Sequence, residues 1–174
     1  MSKTNYNLSQ IKAFVFDVDG VLSPSTVPVY INGEPCRMMN MKDGYALQLA
    51  IKMGYKIAII TGAKSDLIRL RYNTLGIKDV FIGVENKIVV YNKWIKENNL
   101  TQESVAYMGD DIPDYEVMQT AGFACCPADA ATDIQRIARY ISPYRGGEGC
   151  VRDVMEQTLR AQGVWMNSEH AYKW

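Results

Sequence analysis

Short apolar runs alternate along this chain with segments whose apolar positions recur every three or four residues. The runs are Lys12–Phe16, Lys56–Ile60, Val80–Ile82, Val105–Met108, Phe123–Cys125 and Tyr140–Ile141. Runs that are apolar at consecutive positions fit strands buried on both faces. The helical segments start from Asp43 as cap and run to about Met53, with Ala46, Leu49, Ala50 and Met53 on one face. Further helices run from a Ser65 cap to near Gly76, from about Lys87 to Asn98, through about Thr120, over Thr132–Ala138 and over Val151–Gln162. Val27–Ile31 and Cys36–Met41 flank Asn32-Gly33, the signature of a hairpin turn, so a hairpin is predicted at about 24–41. This order predicts an α/β fold, a parallel sheet with helices on both faces and one hairpin after the first strand. No repeat, low-complexity tract or interdomain linker interrupts it. The 174 residues read as a single domain, 1–174, with a C-terminal tail at about 163–174.

Charge narrows the partners. Lys plus Arg and Asp plus Glu both number 19, so the formal net charge is zero. A basic nucleic-acid binder and a polybasic membrane binder are disfavoured. No stretch reaches the roughly 18 apolar residues that span a bilayer, and the polar N-terminus lacks a signal-like apolar core. A cytoplasmic location is expected. The four cysteines, Cys36, Cys125, Cys126 and Cys150, form no CxxC pair and read as reduced, mostly buried thiols. One histidine, His170 near the C-terminus, rules out a structural zinc site of the usual kind and a Ser-His or Cys-His catalytic pair. The segment Met38-Met39-Asn40-Met41 reads as hairpin packing, and Trp165, Tyr172 and Trp174 as packing or interface aromatics.

Chemistry gathers at the carboxyl ends of the strands, where open α/β sheets bind ligands. The first end carries Asp17-Val18-Asp19-Gly20, the second Thr61-Gly62, and the fourth Gly109-Asp110-Asp111-Ile112-Pro113-Asp114; Lys87 follows the third. Each alone is an ordinary turn or cap, but the ordered set is not. Converging carboxylates repel and need a hard cation, for which Mg²⁺ is better suited than zinc. Phosphoryl transfer fits the set. Asp17 serves as nucleophile, and Asp19 as acid and then base. Thr61, the Gly62 N–H and Lys87 meet the phosphate oxygens. Asp110 completes the metal site, with Asp111 and Asp114 supporting it. Lys42 and Asp43 are candidates for the mouth of the site, against the plainer reading of Asp43 as a helix cap.

The motifs DVDG (17–20), ITG (60–62), Lys87 and GDDIPD (109–114) resemble those of the haloacid dehalogenase superfamily of phosphatases. FDVDGVLS (16–23), MKDGYAL (41–47), LGI (75–77), VAYMGDDIPDYEVM (105–118) and GGEGCVRDV (146–154) are similar to the capless family that acts on 3-deoxy-D-manno-octulosonate 8-phosphate. The resemblance implies a Rossmann-like three-layer sheet and an aspartyl-phosphate intermediate on Asp17. It implies Mg²⁺ held by Asp17, Asp110 and the backbone carbonyl of Asp19. It also implies a homotetramer whose hairpins pack together so that subunits cover each other's sites, and a C-terminal segment that can fold over the site. For the eight-carbon sugar acid, it implies a step in lipopolysaccharide biosynthesis.

Two positions depart from the family pattern. Ala63 and Glu148 stand where an Arg is common, so a charge that could meet a sugar acid is missing; Lys64, Arg69, Arg71 and Arg145 are the candidates to replace it. Phosphatases of 2-keto-3-deoxynononate 9-phosphate or acylneuraminate 9-phosphate use the same scaffold and remain an alternative. A signalling receiver would carry an Asp after the third strand, where this chain reads Ile82-Gly83-Val84. A non-catalytic scaffold would not need the whole acidic, Thr and Lys set.

Overall fold

The computed structural model describes residues 5–167 and 169–173. Six parallel strands form one sheet: β1 (Ala13–Phe16), β2 (Lys56–Ile60), β3 (Asp79–Phe81), β4 (Val105–Met108), β5 (Phe123–Cys126) and β6 (Tyr140–Ile141). Their spatial order is β3-β2-β1-β4-β5-β6. The helices are α1 (Met41–Lys52), α2 (Asp66–Asn73), α3 (Lys87–Glu97), α4 (Tyr115–Thr120), α5 (Thr132–Ile137) and α6 (Cys150–Ala161).

Strand alternation sorts the core into two layers. Phe14, Phe16, Ile57, Ile59, Met108 and Cys125 face α1, α2 and α6. Val15, Ala58, Ile60, Tyr107 and Cys126 face the opposite side, against α3, α4 and α5. This is why the strands read as unbroken apolar runs. The cysteines are free thiols, with Cys125, Cys126 and Cys150 buried. Among the described residues, no helix is long and apolar enough to cross a membrane.

Two expectations need correction. The hairpin at 24–41 forms no paired strands. It holds a single antiparallel bridge, Val29 to Pro35, closed by bonds from Tyr30 N to Glu34 O and from Cys36 N to Pro28 O. Pro24, Pro28 and Pro35 remove ladder donors, and no sheet lies beneath the segment to cover Val29, Tyr30 and Ile31, which stay exposed. Met39 packs on the core, while Met38 and Met41 do not.

The second correction concerns the cap of α1. Asn40, not Asp43, is the N-cap, its side chain accepting from the N–H groups of Lys42 and Asp43. Ser65 does precede α2, but its hydroxyl makes no capping bond.

The end of the tail packs along α1 and α6 of its own chain. Trp165 is buried edge-on to Tyr45, with the Arg152 guanidinium 4.5 Å from its ring centre. Tyr45 Oη donates to the Ala171 carbonyl, and Lys52 Nζ to that of Lys173 at 3.1 Å. Tyr172 and His170 are exposed; Trp174 lies outside the described residues.

Candidate active site

The strand order reverses direction between β1 and β4, and the carboxyl ends of these two neighbours bring Asp17 and Asp110 together. Asp17 is buried. Its Oδ1 accepts from Val18 N at 2.7 Å and its Oδ2 lies 2.7 Å from Lys87 Nζ. Lys87, the first residue of α3, also reaches Asp114 Oδ1 at 2.7 Å.

Asp114 is 0% exposed and fully occupied. Besides Lys87, its Oδ1 accepts from Tyr107 Oη at 2.6 Å; its Oδ2 accepts from Asp110 N at 3.1 Å and Asp111 N at 3.4 Å. The residue therefore orders the whole 110–114 loop and the lysine. Asp111 carries its own share of that turn, its carbonyl accepting from Asp114 N.

Carboxylate oxygens of Asp17, Asp110 and Asp114 all lie within 4.8 Å of one another. Crowding and burial act on them. Burial, then the Asp114 charge, push Asp17 up to about 7 against the pull of Lys87 and the Val18 N–H. Burial and the charges of Asp17, Asp114 and Asp111 push Asp110 up to about 8. Burial draws the Lys87 ammonium down, but the two aspartates outweigh it and raise it overall.

Asp110 Oδ1 is buried with no hydrogen-bond partner. An orphaned carboxylate oxygen among crowded acids is what a divalent cation would satisfy, and an all-oxygen set suits a hard one. Each Asp114 oxygen already accepts from two donors, whereas each Asp17 oxygen has one and Asp110 Oδ1 none, so Asp17 and Asp110 keep lone pairs for a cation.

Two backbone details shape this pocket. Gly20 has φ +81°, and a Cβ there would stand 1.9 Å from Asp110 Oδ2. Gly146 packs its Cα face on the Gly20 carbonyl, where a Cβ would meet the oxygen at 1.9 Å. Gly147 N–H donates to Val21 O, and Asn40 Nδ2 to Gly147 O at 3.1 Å. The Gly-rich loop thus braces both the 17–23 loop and the start of α1.

Thr61 is buried at the end of β2; its Oγ1 accepts from Ala63 N at 3.2 Å, and its carbonyl from Val84 N. With Gly62, it follows the carboxyl end of β2, the strand paired with β1.

Asp43 is tied to α6. It is 1% exposed, with Oδ1 accepting from Arg152 N at 2.7 Å in the first turn of α6 and Oδ2 without a partner. Burial outweighs the Arg152 contacts and raises its carboxyl to about 6. Lys42 is exposed and borders a separate groove with Tyr144, Glu148 and Arg152. Of the charges named to replace the missing Arg, Arg69 pairs with Asp66 and Arg145 with Asp129, while Arg71 lies over Gly44 near Met41.

Sequence reasoning missed two participants. Tyr107 reads as one more inward-facing strand residue. Arg37 is not singled out in the hairpin segment, yet its Nε and Nη2 each bond one oxygen of Asp19 at 2.8 Å. Neither has a local signature, since each contact depends on the fold.

Comparison with known proteins agrees with this geometry. The haloacid dehalogenase-like hydrolase family model matches residues 44–128. 3-Deoxy-D-manno-octulosonate 8-phosphate phosphatase KdsC of Escherichia coli K12 is 37% identical over 153 residues, 88% of this chain and 81% of that protein. The crystal structure of the corresponding phosphatase from Yersinia pestis superposes with a TM-score of 0.87 at 35% identity, covering 91% of this chain and 85% of that one. The Moraxella catarrhalis phosphatase, solved with magnesium, phosphate and KDO, gives 0.85 at 32% identity, covering 90% of each chain. On this likeness in sequence and fold, the chain belongs to the 3-deoxy-D-manno-octulosonate 8-phosphate phosphatase family of haloacid dehalogenase-like hydrolases, and is a phosphoric monoester hydrolase.

Proposed function

We infer that the chain hydrolyses 3-deoxy-D-manno-octulosonate 8-phosphate to the free sugar acid and phosphate, with Mg²⁺, in the cytoplasm, as a step toward lipopolysaccharide. The observation that carries this reading is the Asp17 carboxylate, oriented by Val18 N–H and Lys87 Nζ beside the unpartnered oxygen of Asp110.

An Asp17 oxygen attacks phosphorus as the bond to the sugar oxygen breaks, and Asp19 gives that oxygen its proton. Asp19 then takes a proton from water, which attacks the aspartyl phosphate and frees Asp17. Lys87, Thr61 and the Gly62 N–H offset charge on the nonbridging oxygens. A divalent cation held by the carboxylates of Asp17 and Asp110 and the carbonyl of Asp19 supplies further neutralisation of the phosphoryl group when bound. Phosphate-monoester hydrolysis is among the slowest uncatalysed reactions, with enhancements up to ~10²¹, so charge stabilisation and positioning carry most of the rate.

The test is phosphate release by the chelator-treated enzyme, with and without added Mg²⁺, on the eight-carbon and the nine-carbon sugar-acid phosphates. Release only with Mg²⁺, and a higher kcat/KM on the eight-carbon substrate, are expected. A preference for the nine-carbon phosphate would transfer the assignment to the sister activity, and full activity in chelator would remove the metal from it.

The same reading makes the protein a homotetramer. Val29, Tyr30 and Ile31 are exposed at the hairpin tip, and a half-formed hairpin gains its missing pairing from neighbouring copies. The segment between Asp19 and β2 holds nothing large enough for a separate lid, so another subunit is the available cover. Light scattering is expected to give four times the chain mass for the wild type and a smaller species for Ile31→Asp. A monodisperse monomer at micromolar concentration would rule the assembly out.

A further inference from the structure

The 24–40 segment has an inward contact that its assembly role does not require. Asp19 projects from the loop after β1 with its side chain 46% exposed at the crevice. Arg37, 10% exposed, holds both of its oxygens, Nε on Oδ1 and Nη2 on Oδ2. Such a fork fixes the plane of a carboxylate as well as its position, which a lysine's single ammonium does not.

The arginine is itself tied down on both sides. Cys36 N–H bonds Pro28 O across the hairpin, and Met38 N–H donates to Ser23 Oγ at 3.1 Å. Ser23 N–H in turn donates to Val18 O, inside the loop that carries Asp17 and Asp19. The guanidinium therefore stands on a backbone anchored to the catalytic loop it serves. A half-exposed aspartate without it would spread over several rotamers.

We propose that Arg37 is a positioning residue for proton transfer: it holds Asp19 in the orientation from which one carboxyl oxygen meets the leaving group. This rests on the reading of Asp19 as acid and base. In the first half-reaction one Asp19 oxygen leaves its Arg37 N–H and carries the proton, which passes to the departing oxygen as its bond to phosphorus breaks, while Arg37 retains the other oxygen. In the second, a water proton returns to Asp19 as the water oxygen bonds phosphorus and the Asp17 oxygen leaves.

The test uses aryl phosphates, which lack the sugar acid's carboxylate and span leaving groups from 4-nitrophenol to phenol and 4-methoxyphenol. A good leaving group needs no proton, so loss of a positioned acid costs little with 4-nitrophenyl phosphate and much with phenyl phosphate. Arg37→Met, which keeps the apolar stem, is expected to lower kcat/KM on phenyl phosphate about 10- to 100-fold and on 4-nitrophenyl phosphate less than about threefold. Its dependence on leaving-group basicity should steepen in the same sense as that of Asp19→Asn, with Arg37→Lys between Met and wild type.

An equal loss across all leaving groups for Arg37→Met overturns the proposal in favour of a structural or simple charge role. Unchanged aryl phosphates with a raised KM for the sugar-acid phosphate also overturn it, making Arg37 a substrate contact. A flat profile for Asp19→Asn removes the acid–base reading itself, and the proposal with it. A steepened profile for Asp19→Asn alone removes only Arg37.

Discussion

Asp17→Asn is expected to reduce phosphate release by at least about 10⁴-fold while leaving the fold and its thermal transition within a few degrees of wild type. The amide has nearly the same shape and can still accept from Val18 N–H, so the loop after β1 keeps its hydrogen bond. Lys87 keeps Asp114 as its partner. Burying an amide in place of a carboxylate also relieves desolvation, so no global destabilisation is expected. What disappears is the carboxylate oxygen proposed to bond phosphorus. Circular dichroism and a melting curve check the first half, and steady-state release the second. Turnover within tenfold of wild type would show that another group attacks phosphorus.

Gly20→Ala is expected to be the other severe change, although it touches no reacting atom. The residue has φ +81°, a conformation in which a Cβ costs about 1–2 kcal/mol. The methyl would also stand 1.9 Å from Asp110 Oδ2, closer than real atoms approach. Relief requires moving either Asp110 or the Asp19–Gly20 turn, and both belong to the pocket proposed for the metal. Activity should fall by about 10²-fold or more, since misplacement by about 1 Å can cost that much, and the Mg²⁺ concentration for half-maximal rate should rise. An undiminished rate with an unchanged Mg²⁺ requirement would mean that the acidic loop has slack not evident in its packing.

The strands were legible because a parallel sheet buried on both faces leaves runs such as AFVF, KIAII and VAYM, whose carboxyl ends announce themselves by a change from apolar residues to Asp17, Thr61-Gly62 and Gly109-Asp110. The acidic and lysine positions followed from that register. The rest depended on contacts far apart in the chain. Asn40 and Asp43 are both plausible caps three residues apart; what separates them is Arg152 N–H, 109 positions away, which takes the Asp43 carboxylate. Alternation and Asn-Gly signal a hairpin at 27–41, but a strand pair needs a surface to lie on, and one copy of the chain offers none. Arg37 lies 18 positions from Asp19, and no periodicity predicts that the side chain turns inward. Tyr107 has the parity of a core residue and is one; its hydroxyl matters only because Asp114 lies beneath it.

The strand order also bears on how the chain is made. β1 precedes the other five strands of this sheet in the chain, yet it sits in the middle with β2 on one edge and β4 on the other. Its Ala13–Phe16 run has one unpaired, apolar edge until Val105–Met108 has been synthesised. The brace from Gly146 and Gly147 onto the 17–23 loop comes later still. Pairing across such sequence separations is slow, and a nascent chain with a bare central strand is prone to associate with others. The residues proposed for the chemistry at the end of β1 therefore depend on partners that come much later in the chain.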